Sequence, residues 1–137
     1  MRFVLVLYYT MAFVHSTKLL SHDHSVWSNL TNEYVEECVL ISKVSPSLVD
    51  EILIHADVPD DKNLHCYLKC IYEKIHFLLP NGEFDEDEIV EKAHYANPEI
   101  TEKCIEVADF EKELCRKSFL FGRCVLHELA ELKIQKT

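Results

Sequence analysis

Cys66-Tyr67-Leu68-Lys69-Cys70 sets two cysteines one helical turn apart, so both sulfurs leave the same face of a helix. A helical turn holds such a pair in poor geometry for bonding to each other. Each therefore reaches a different neighbour, and the helix is tied to two others. Outward from this pair stand Cys38, Cys104, Cys115 and Cys124, and the six cysteines are separated by 27, 3, 33, 10 and 8 residues. An even set in a short chain behind an export signal reads as a framework of three disulfides, with fifteen pairings open. The gaps of three and eight residues are wider than the two-residue gap of most structural zinc sites, so no metal is assigned to them.

Residues 1–16 read as a cleaved signal peptide: Arg2 gives a basic start, Phe3 to Val14 is almost wholly apolar, and Val14-His15-Ser16 precedes the cut. The apolar run is too short to span a bilayer. Residues 17–137 then form one secreted domain. The net charge is −10, and loss of a leader with one base and no acid makes it more negative still. Such a surface repels nucleic acid and anionic membrane, so neither is expected as a partner.

The rest reads in the helical period, which predicts an all-α, single compact domain of about six helices. Trp27, Leu30, Tyr34, Cys38 and Ile41 form one stripe, and Ser45-Pro46-Ser47 punctuates, with Ser47 and Asp50 as a capping box. Asp60 and Asp61 start a helix through Cys66, Cys70, Phe77 and Leu78 that Pro80-Asn81-Gly82 ends. Asp85 and Glu88 cap a helix bearing Ile89, Ala93 and Ala96, Asn97-Pro98 starts another through Cys104, and a last one runs from about Phe110 to Leu132.

Enzyme chemistry has little to stand on. No Gly-x-Ser-x-Gly, His-Glu-x-x-His or phosphate loop occurs, and three disulfides leave no nucleophilic thiol. The run Asp85 to Glu88 is a solvated helix start without EF-hand spacing, and no cofactor is expected. Asn29-Leu30-Thr31 is an N-glycosylation sequon with Asn29 as acceptor.

Val58-Pro59-Asp60-Asp61-Lys62 ahead of Cys66 and Cys70, Asn81-Gly82 after them, and the eight-residue gap from Cys115 to Cys124 resemble the insect odorant-binding protein family, the six-cysteine pheromone and general odorant-binding group. The likeness runs from about Val26 to Leu132; it departs where Arg116 stands in place of the acid common after the fifth cysteine. The resemblance implies the pairings Cys38–Cys70, Cys66–Cys115 and Cys104–Cys124 around an apolar cavity. It implies a ligand-binding wall drawn from Phe77, Leu78, Phe84, Ile89, Ala93, Ile100, Phe119, Gly122, Val125, Leu126 and Leu129. Gly122 is the more telling, since glycine inside a helix costs about 1 kcal/mol relative to alanine.

The implied activity is transport of small hydrophobic molecules such as odorants or pheromones by a monomer or weak homodimer, with a volatile or lipid-like ligand and a sensory receptor as partners. Relatives commonly release cargo in acid, and seven histidines follow the leader, among them His76, His94 and His127 near the expected pocket or tail. A pocket of about 300 Å³ would cost roughly 7 kcal/mol as a void, and three disulfides at about 2–4 kcal/mol each would offset it. Without the resemblance, a secreted interaction protein with a filled core, acting through its acidic surface, fits the same staples.

Overall fold

A computed structural model describes residues 21–55 and 57–135. The expected leader, residues 1–16, lies outside the described residues. Seven helices are found among the described residues: α1 (Ser21–Thr31), α2 (Val35–Ser42), α3 (Pro46–His55), α4 (Lys62–Lys74), α5 (Glu86–Lys92), α6 (Pro98–Asp109) and α7 (Leu114–Gln135). No strand occurs among them; Leu78 and Phe84 form one isolated antiparallel bridge.

The centre is α4 packed on α7, with α6 against α7, α2 against α4 and α5 against α6. Leu64, Leu68 and Ile71 recur three or four apart along α4 and are buried, as are Ile75 just past its end and Phe119 and Val125 on α7. Starts are set by short polar side chains that accept orphan backbone N–H bonds. Asp61 accepts from Leu64 N–H at 2.9 Å, Asp85 from Glu88 N–H at 3.1 Å and Asn97 from Ile100 N–H at 2.9 Å. Pro98 follows in the first turn of α6, where its missing N–H is no loss.

The three bridges are Cys38–Cys70, Cys66–Cys115 and Cys104–Cys124, and no described cysteine is free. They interlock: the segment closed by Cys38 and Cys70 contains Cys66, whose partner lies beyond it.

Several boundaries differ from the periodic reading. The stripe from Trp27 to Ile41 is two helices, because the chain turns at residues 32–34, where Tyr34 N–H bonds Thr31 C=O at 2.8 Å. Pro46 opens α3 rather than preceding it, and Leu48 N–H bonds Ser45 C=O at 3.0 Å. α4 ends at Lys74, because His76 adopts a left-handed backbone with φ 65° and Phe77 N–H turns back to Tyr72 C=O at 2.8 Å. Phe77 and Leu78 thus lie in a hooked loop, not on the helix. The last helix begins only at Leu114, where Glu113 Oε2 accepts from Arg116 N–H at 2.6 Å, and Phe110 is left exposed at the end of α6.

Candidate functional site

An apolar cavity of about 50 Å³ opens between the helices. Trp27 of α1, Ile52 of α3, and Leu68 and Tyr72 of α4 face it, with Ile89 of α5 and the loop residues Val58, Phe77, Ala93, Tyr95 and Ala96. Phe121, Gly122, Val125, Leu126 and Leu129 supply the wall from α7. These last fall in two adjacent rows of the helix, which is why one face of α7 covers the whole length of the space. No Lys, Arg, His, Asp or Glu lies on the wall. Its chemistry is hydrocarbon and aromatic, with hydroxyls at Tyr72 and Tyr95 and the indole of Trp27.

Of the wall expected from the sequence, Phe77, Ile89, Ala93, Gly122, Val125, Leu126 and Leu129 surround this cavity. Leu78, Phe84, Ile100 and Phe119 are buried but lie off its wall. Phe119 sits one helical turn before Gly122, where His65 stacks on its ring at 4.1 Å and the Arg123 guanidinium lies 4.6 Å from its centroid. Phe84 turns away to stack on Phe121 at 4.4 Å. Leu78 is bridged to Phe84 across the hooked loop, and Ile100 is packed behind the Asn97 cap.

Of the eight wall residues that the expected set lacked, four are aromatic: Trp27, Tyr72, Tyr95 and Phe121. Tyr72 follows Leu68 by one turn on α4, a signal present in the sequence, and Phe121 precedes Val125 by one turn on α7. Tyr95 stands in a turn after α5, where no period exists to find it.

Tyr72 is the hub of the aromatic packing. Its ring meets Trp27, Phe84 and Phe121 edge to face at 6.0, 6.1 and 5.7 Å, and Phe77 near-parallel at 6.2 Å. Burial pushes its phenol far above the ordinary value, and nearby Tyr95 adds to the shift. Burial does the same to Tyr95, with the buried Asp23 carboxylate adding to it. Both are therefore protonated hydroxyls at any physiological pH.

Histidines mark two further places. His22 Nε2 and His94 Nε2 stand 3.3 Å apart and link α1 to the turn that holds Tyr95. His65, buried at the start of α4, has Nε2 2.9 Å from Asp60 Oδ1 but not aligned as a hydrogen bond. Burial pulls the His65 imidazole below 6.5, outweighing Asp60, which acts in the opposite sense. His76 and His127 are exposed, and no group of three or more metal-binding side chains occurs among the described residues. Asn29 is exposed on α1, while the Thr31 hydroxyl of its sequon is buried and donates to Trp27 C=O at 2.9 Å.

An apolar chamber in a six-cysteine helical bundle defines a class, and the comparisons name it. The model of the PBP/GOBP family matches residues 27–128, and the chain belongs to that family. General odorant-binding protein 99b of Drosophila melanogaster is 29% identical to it over 148 aligned residues, which cover 96% of this chain and 95% of that protein. No solved structure matches the chain. Among the described residues no helix is long and apolar enough to cross a membrane.

Proposed function

We propose that the protein is a secreted carrier that encloses a small hydrophobic molecule, an odorant or pheromone, without transforming it. The observation that carries this reading is the uncharged aromatic and aliphatic chamber in a chain of the PBP/GOBP family. Apolar burial supplies the affinity: about 300 Å² of guest surface at about 25 cal/mol per Å² yields roughly 7.5 kcal/mol before association costs. Binding is then micromolar, governed by shape and broad in selectivity. The leader-like residues 1–16 and the three disulfides support an extracellular setting. Exposed Asn29 is a place for an N-linked glycan, checked by the mass of secreted protein before and after glycosidase.

The test is displacement of an apolar fluorophore such as N-phenyl-1-naphthylamine by volatile and fatty compounds. Binding with micromolar competition is expected; a protein that binds neither probe nor competitor overturns the reading. One observation favours a second reading, the filled-core interaction protein. A space of about 50 Å³ holds only a few waters, so a guest must push side chains aside. Ligand-dependent thermal stabilisation separates the two, being expected of the carrier alone.

Acid-triggered release belongs to the same proposal. Imidazoles gain protons in mild acid. The 3.3 Å contact between His22 Nε2 and His94 Nε2 needs one ring nitrogen to donate and the other to accept. That contact joins α1, which carries Trp27, to the turn that carries Tyr95, so its loss loosens two walls together. Weaker binding at pH 5 than at pH 7 is expected, with the difference reduced in His94→Gln. Equal affinity at both pH values removes the release step and leaves the carrier standing.

A further inference from the structure

Tyr72 is 5% exposed and stands in the cavity wall, its ring held by Trp27, Phe77, Phe84 and Phe121. The hydroxyl takes part in none of the hydrogen bonds found among the described residues and is not a fully buried orphan atom, so it lies open to the cavity. A phenol open to an apolar cavity is satisfied only by what enters that cavity, water or a guest. The room around it is made by a missing side chain: a Cβ at Gly122, the neighbouring wall residue, would lie 2.9 Å from Tyr72 Oη. Glycine in mid-helix thus keeps one oxygen clear in a chamber otherwise built to be dry.

We propose, resting on the carrier reading, that the Tyr72 hydroxyl is the polar anchor of the cavity and makes it selective for neutral guests with one hydrogen-bonding oxygen. Alcohols, aldehydes and ketones satisfy the phenol as acceptors while their chains fill the hydrocarbon walls. An alkane that displaces cavity water leaves the hydroxyl unpaired. A carboxylate arrives desolvated in a wall that offers no Lys, Arg or His to pair with it. Four surrounding rings fix the direction of the phenol before any guest arrives, so little ordering is required on binding. Tyr72 is thereby a specificity residue, and the guest class is a short oxygenated hydrocarbon rather than a fatty acid.

The experiment is competition against N-phenyl-1-naphthylamine by a six-carbon series, hexan-1-ol, hexanal, hexane and hexanoate at neutral pH, on the full secreted protein and on Tyr72→Phe. The unmutated protein is expected to bind the alcohol and aldehyde at least threefold more tightly than hexane, with hexanoate weakest. In Tyr72→Phe, alcohol and aldehyde affinities fall about three- to tenfold, as loss of one hydrogen bond requires, while hexane holds or gains. The order measured in the unmutated protein keeps the idea falsifiable even where the variant folds poorly. Hexanoate binding as tightly as hexanal, hexane matching hexan-1-ol, or an unchanged profile in a folded Tyr72→Phe each overturns the assignment while the carrier reading survives. Failure of the probe and of every competitor sinks the carrier reading, and the anchor with it.

Discussion

Gly122 and Tyr72 are fitted to each other, and the fit predicts the sign of a substitution. Alanine at Gly122 gains about 1 kcal/mol of helix propensity. The new methyl, however, sits 2.9 Å from Tyr72 Oη, and the ring that must yield is clamped by four others. Overpacking of this kind costs about 1–3 kcal/mol, so Gly122→Ala is expected to lose about 1 kcal/mol net, read as a lower urea midpoint. A midpoint raised by the change would mean that the ring moves freely. His65 predicts a pH effect by linkage. Its folded-state value lies below 6.5, so between the two values the unfolded chain holds more protons, and stability falls as pH drops through 6.5 towards the folded value. Urea midpoints at pH 7.5 and 5.5 are expected to differ in that direction, and His65→Gln to flatten the difference. An identical slope in the variant assigns the effect elsewhere.

Among the elements, α4 holds most of the covalent geometry, with Cys66 and Cys70 both bonded outward. Cys66 and Cys115 are 49 residues apart and Cys104 and Cys124 are 20 apart. Chain entropy then predicts that removing the first bridge as a double serine variant costs about 4 kcal/mol, against about 3 for the second. Equal losses would show that native contacts, not loop closure, set the value. Asn97→Ala removes the cap of α6 and is expected to cost about 1 kcal/mol, seen as a lower melting temperature. These starts were legible in the sequence, because Asp61, Asp85 and Asn97 announce themselves by residue type just ahead of a periodic run. The ends were not. Nothing in His76-Phe77-Leu78 breaks the helical period, and only the left-handed backbone at His76 takes Phe77 off α4. The same blindness explains the cavity wall. The family resemblance picks out the α7 face from Gly122 to Leu129, but neither it nor periodicity can tell that Phe119 on the same helix meets His65 instead. Nor can it bring Trp27 and Tyr95, 68 residues apart in the chain, to one space.

At the scale of the molecule, the chamber is smaller than the staples alone suggest. A void of about 50 Å³ costs about 1 kcal/mol, not the roughly 7 kcal/mol of a 300 Å³ pocket, so the unliganded protein gives up little by keeping it. Occupancy is therefore a gain in stability. At a ligand concentration of about 100 Kd the folded state gains about 2.7 kcal/mol, and the melting temperature is expected to rise by roughly 10 °C. A saturating ligand that leaves it unmoved would show binding to the surface only. The placement of the bridges says what happens when a guest arrives. Cys38–Cys70, Cys66–Cys115 and Cys104–Cys124 rivet α2, α4, α7 and α6 into one frame, and none of them reaches α1, α3 or α5. Like a purse with a rigid spine and a soft front, the molecule is expected to yield on the side that carries Trp27, Ile52 and Ile89 while its frame keeps its shape. Bulkier cargo is then paid for in displaced panels rather than in strained sulfur, and tolerance of guest size is built into where the cysteines are not.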